Sequence, residues 1–122
     1  MASSGLNVAG AVRTGITALA GSGTPSAAAN TLSFGVNVVS VVASSGDGVI
    51  LPAAVPQGSV VRVFNTAATN TTDVFPNTGA TINGGTATTG QVGIATLTGA
   101  TFVQVGTDGL TWVVDNSVTA IS

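Results

Sequence analysis

The chain has 122 residues, 44% of them hydrophobic, but only 5% charged: Arg13 and Arg62 against Asp47, Asp73, Asp108 and Asp115, for a net charge of −2. An average soluble domain is about a quarter charged, so a chain this bare is expected to hide much of its surface against other protein. With no lysine or histidine it offers no basic face to nucleic acid, and with no cysteine it has neither a disulfide framework nor a thiolate metal site.

The length suits one domain, and the texture of the sequence changes near Asn30 to Ser33. The expected organisation is an N-terminal arm over residues 1–31 and a β-domain over residues 32–122. The arm is rich in Ala, Gly, Ser and Thr, with scattered Leu6, Val8, Val12, Ile16 and Leu19. Val8, Val12, Ile16 and Leu19 fall at helical spacing, whereas Gly10 and Gly15 each cost a helix about 1 kcal/mol against alanine. Two conformations stay open, an extended arm ordered by a partner and an amphipathic helix. In either form the segment has too little apolar mass to fold alone, which makes Leu6, Val8, Val12, Arg13 and Ile16 candidate contacts to a neighbouring subunit. Arg13 suits an acidic patch on that partner.

From Leu32 onward, short runs of Val, Ile, Thr and Phe alternate with Gly, Asn, Asp and Pro, as strands and turns do. The expected strands are Phe34 to Ala43, Gly48 to Leu51, Ser59 to Asn65, Thr72 to Phe75, Ala80 to Ile82, Val92 to Leu97, Thr101 to Gly106 and Leu110 to Asp115. In Ser59 to Asn65 the period of two sets Val61 and Val63 on one face and Val60, Arg62 and Phe64 on the other. In the run from Thr101, Val103 and Val105 part from Phe102 and Gln104. Both faces are partly apolar, which suits a strand with core on one side and a subunit contact on the other. Asp108-Gly109 and Gly99-Ala100 read as hairpin turns, giving a three-stranded meander at the C-terminal end. Pro52, Pro56 and Pro76 stand at or beyond strand ends. The expected fold is therefore all-β, a β-sandwich or jelly-roll-like module with an N-terminal extended arm. No fixed-length repeat emerges, so a solenoid is not expected.

The longest apolar runs, Val36 to Ala43 and Val49 to Val55, are too short and too interrupted to span a bilayer, which takes about 20 residues. Met1-Ala-Ser-Ser-Gly5 lacks the charge of a secretory leader, so synthesis in a cytoplasm is expected.

Of the usual acid–base groups only aspartate is present. The four aspartates stand in turn-like or strand-edge settings, and the alternative of an acid–base or calcium pair lacks the dense carboxylates calcium prefers. Serines and threonines abound, but no histidine or lysine is there to activate them. Gly79-Ala-Thr-Ile-Asn-Gly84-Gly85 lacks the lysine of a phosphate loop. No enzyme activity, cofactor, metal or small-molecule substrate is expected. Trp112, the single tryptophan, is a core or subunit-contact residue, with a ligand platform as the alternative. Arg62, in an otherwise apolar strand, is expected in an interfacial ion pair or on a solvated face.

Several segments together carry a resemblance: Gly48-Val-Ile-Leu-Pro-Ala-Ala-Val-Pro-Gln-Gly58, Val60-Val-Arg-Val-Phe-Asn65, Val74-Phe-Pro76, Gly79, Ile82-Asn-Gly-Gly85, Phe102 and Trp112. In that order they resemble small virion proteins of tailed bacteriophages, of the head-decoration type, over roughly residues 32 to 115. The resemblance implies a capsid decoration, or cement, protein on the virion surface. It would be made in the host cytoplasm, contact the major capsid protein and assemble as a homotrimer, with no catalytic residue carried over. A head-fibre or tail-tip protein binding a host receptor is the alternative.

Overall fold

A computed structural model describes residues 12–19, 30–53 and 55–115. These form ten strands and no helix: β1 (Val12–Thr17), β2 (Asn30–Thr31), β3 (Gly35–Val41), β4 (Gly48–Ile50), β5 (Val60–Asn65), β6 (Thr72–Phe75), β7 (Thr81–Ile82), β8 (Val92–Ile94), β9 (Thr98–Gln104) and β10 (Thr111–Asp115). They lie in a six-stranded sheet, ordered β1-β3-β5-β9-β10-β7, and a four-stranded sheet, ordered β2-β4-β6-β8. The fold is all-β and sandwich-like, as the alternation of apolar residues requires.

The connectivity was not legible in the sequence. Successive strands from β1 to β6 alternate between the two sheets, and within each sheet they pair in parallel. Parallel neighbours need a long crossover, and here each crossover contains a strand of the opposite sheet. The first half of the chain is thus a flattened, two-sided coil. Its steps, from Val12 to Val36 to Arg62 and from Asn30 to Val49 to Val74, are unequal, so no fixed period marks it in the sequence. The second half closes the coil with antiparallel pairs, β8 on β6, β9 on β5, and the β9–β10 hairpin.

Two expectations are corrected here. Val12–Thr17 and Asn30–Thr31, on the arm side of residue 31, are edge strands of the two sheets, and Ile16 and Ala18 are buried in the core. The extended reading therefore holds over Val12–Thr17, but its partner is β3 of the same chain. The meander does not form, because β8 belongs to the small sheet and Gly99-Ala100 lies inside β9; the chain turns earlier, with Thr98 N–H donating to Ala95 C=O at 3.2 Å. Gly99 is needed for a different reason. A Cβ there would stand 2.4 Å from the Phe64 ring, which lies across it from β5. Asp108-Gly109 is a turn as expected: Gly109 has φ +77° and Leu110 N–H donates to Asp108 Oδ1 at 2.9 Å.

The core fills the space between the sheets. Val39, Val61, Val63, Phe102 and Trp112 point in from the large sheet, and Val49, Val74 and Ile94 from the small one, all with almost no exposure. Asn65, also fully buried, ties the sheets together by donating through Nδ2 to Ile94 C=O at 2.9 Å.

Candidate docking face

Among the described residues, the outer side of the large sheet carries part of the exposed apolar surface. Register places its side chains in three rows across the strands. Val36, Arg62, Thr101 and Asp115 form the middle row, from β3 through β5 and β9 to β10. Val38, Phe64 and Gly99 lie on one side of it, and Val60, Val103 and Val113 on the other. Val12 continues the middle row on β1 and is half exposed. Val60 is 39% exposed and Val113 is 45% exposed. The Arg62 guanidinium stands 5.8 Å from the centre of the Phe64 ring, within cation–π range. Arg62, Phe64 and Gly99 thus form one layered unit, in which glycine lets the ring lie flat and the ring supports the cation.

Where β5 ends, the face opens into a shallow, mainly apolar hollow of about 280 Å³ lined by Phe64, Asn65, Thr66, Leu97, Thr98 and Gly99. Leu97 on its rim is 77% exposed and has φ +61°, a left-handed conformation that is rare for a bulky side chain. Its N–H is held by Asn65 C=O. A strained leucine presented to solvent is the kind of feature that accompanies recognition. Sequence reasoning passed over it because Thr96-Leu-Thr98 carries no local signal of strain.

The expected contact residues divide. Arg62 and Val12 are on the outer face. Arg13 is exposed, but its guanidinium donates to Thr31 C=O at 2.7 Å, while the Asn30 amide donates to Thr17 C=O; the two side chains lace the edge of one sheet to the edge of the other. Within its own chain Arg13 therefore serves to blunt sheet edges. Ile16, 4% exposed, and Trp112, fully buried, are core residues and present no surface to a neighbour. Burial also removes Trp112 as a ligand platform. Leu6 and Val8 lie outside the described residues.

Two aspartates behave as turn residues: Asp47 Oδ2 accepts from Ser44 N–H at 3.2 Å and Asp108 from Leu110. Asp73 does not. It sits within β6, flanked by β4 and β8, is buried, and accepts from Gln91 Nε2 at 2.9 Å. Burial holds its carboxyl above the usual range. A carboxyl with a folded pKa above its unfolded one takes up protons on folding, so its contribution to stability falls as pH rises from the ordinary carboxylate range through the raised value, then levels off. Asp73→Asn keeps an acceptor for Gln91 and is expected to melt higher than wild type at neutral pH. The gain should shrink toward zero in acid, read from paired thermal melts across that range.

Among the described residues no cluster of three or more His, Cys, Asp or Glu could hold a metal, and no helix is long and apolar enough to cross a membrane. Gln104 Nε2 and Trp112 Nε1, on residues paired across β9 and β10, are buried donors without a partner, while Gln104 Oε1 accepts from Gly106 and Thr111 N–H.

Fold and face together define a sandwich-like β-module with one apolar sheet exposed. No family model matches the chain, and no curated protein matches its sequence.

Proposed function

We propose that this chain is a structural assembly protein, a capsid decoration protein that reinforces a phage head by packing uncharged β-surface across subunit joints. The observation that carries the reading is the outer face of the large sheet, where Val38, Val60, Val103, Val113 and Phe64 surround a single arginine. Contiguous apolar surface of this kind on a small domain marks a contact with other protein. The low charge of the whole chain agrees with it, since a surface destined for burial loses nothing by lacking ions. The phage assignment is supported by the sequence resemblance over residues 32 to 115. Mechanically, many copies each burying a modest area would add weak contacts that together raise the barrier to rupture. The receptor-binding alternative is weakened by the burial of Trp112, which leaves Thr and Asn loops as its contacts.

The test is attachment to purified phage heads that lack the protein, measured by co-sedimentation with wild type and with Val103→Lys/Val113→Lys. Both side chains point outward, so circular dichroism should be unchanged while attachment falls by about a hundredfold or more, the loss of two buried valines at about 1.5 kcal/mol or more each. Wild type that ignores heads, or a double variant that attaches as well as wild type, overturns the proposal.

A further inference from the structure

We infer that the occupant of the outer face is a second copy of this chain, packed sheet to sheet about a two-fold axis that runs along β9 and passes Thr101. This rests on the reading of the face as an assembly surface and gives that surface to a second copy in place of a capsid subunit. Thr101 pairs with Arg62 on one side and with Asp115 on the other, so the middle row reads cation, hydroxyl, anion about β9. A two-fold axis lying in the interface along β9 exchanges left for right. It therefore sets Arg62 of each copy opposite Asp115 of the other and Thr101 opposite its own mate. The neighbouring row obeys the same operation: Val60 and Val113 flank Val103 in register, so each Val60 meets a Val113 and Val103 meets itself.

An isologous interface demands a patch that is complementary to itself under rotation, and few patches of mixed charge meet that condition. Here the single cation and the single anion of the rows sit on opposite sides of the central strand, and in the neighbouring row valine meets valine. Arg62 is fixed by the Phe64 ring beneath it, which lowers the entropy lost when it pairs. Asp115 already has a partner within its own chain, and a carboxylate accepts several donors at once. Stacked sheets align at about 30°, so β9 departs from the axis by about half that angle on either side of Thr101, and the register holds best there, where the charges lie.

The size of the face sets the strength. The four longer strands β3, β5, β9 and β10, about 4.8 Å apart and each contributing about six residues at about 3.3 Å, give a flat contact of about 400 Å² per copy. That is below the roughly 800 Å² per partner of a standard interface, so the pair is a weak, reversible dimer whose population depends on concentration.

Sedimentation velocity over a wide range of protein concentration reads the proposal directly. Wild type should pass from monomer to dimer, Arg62→Asp and Asp115→Arg should each weaken association by at least about tenfold, and the double exchange Arg62→Asp/Asp115→Arg should recover most of the loss. Both side chains are exposed, so each variant is expected to fold, as circular dichroism would check. A monomer at every concentration, a trimer, single variants that associate normally, or a double variant weaker than both singles overturns the two-fold pairing. Head attachment separates this from the wider proposal. A monomer whose attachment still depends on Val103 and Val113 places capsid protein on the face, whereas a dimer that ignores heads keeps the pairing and removes the decoration role.

Discussion

Trp112→Ala is expected to lower the stability of the domain by about 3–5 kcal/mol, the usual cost of emptying a large aromatic site. A domain of this size has only about 5–15 kcal/mol in total, so the variant should be partly unfolded at moderate temperature. The expectation follows from position. Trp112 is fully buried and lies between two strands, opposite Gln104 on β9 and Ile82 on β7. The β7 strand is two residues long, and its hold on the sheet depends on packing at this point: Asn83 N–H donates to Trp112 C=O at 2.8 Å and Thr81 N–H to Leu110 C=O at 2.9 Å. The indole Nε1 has no acceptor, so the ring acts here through volume and not through its polar edge. Trp112→Phe, which removes that unpaired donor and keeps most of the ring, should therefore cost much less than alanine. Urea unfolding followed by circular dichroism gives both values. An alanine variant as stable as wild type would mean that Trp112 is not a core residue and would restore it as a contact or ligand platform.

The strands that could be read in advance are those whose instructions are local. Val60–Asn65 and Thr72–Phe75 are bounded by glycine, proline or asparagine and filled with β-branched or aromatic residues, and they form as the pattern indicates. Val12–Thr17 contains Gly15 and a mixed composition that fits two conformations; it becomes a strand through pairing with β3, a partner a full coil away. Asn30–Thr31 is too short to carry any period. Gly99 shows the limit of turn chemistry as a guide. Its neighbours suggested a hairpin, but the residue that requires glycine there is Phe64, far off in sequence and directly across the sheet. Asp73 is the same case in charge form, a polar residue placed inside a strand between two others and satisfied by Gln91 from a distant loop. The outer face was foreshadowed by Val60, Arg62 and Phe64 sharing one side of a strand. Its extent became visible only when register set Thr101, Val103, Val113 and Asp115 beside them.

Asn65→Ala is expected to be nearly as damaging as loss of the tryptophan, although it removes far less volume. Asn65 is fully buried, donates through Nδ2 to Ile94 C=O at 2.9 Å and to Asn70 C=O at 3.0 Å, and accepts through Oδ1 from Ala67 N–H at 3.0 Å. Ile94 belongs to the small sheet and Asn65 to the large one, so a single amide joins the sheets and shapes the chain that leaves β5. Alanine strands two carbonyls and one amide, and each buried group left unpaired costs about 1–3 kcal/mol; a total near 3 kcal/mol or above is expected. The amide of Ala67 should also exchange with solvent faster than in wild type, a local mark that a purely volumetric defect would not leave. Asn65→Asp makes a sharper comparison. Its charged carboxylate would face the carbonyls of Ile94 and Asn70 with no proton to give, so at neutral pH this variant should be less stable than alanine. In acid the neutral carboxyl can donate to one of them. Its folded pKa would be raised, so its stability must fall as pH rises through the carboxylate range. Unfolding midpoints for Asn65→Asp that are flat with pH, or above those of Asn65→Ala at neutral pH, would show that the two sheets are not joined through this amide.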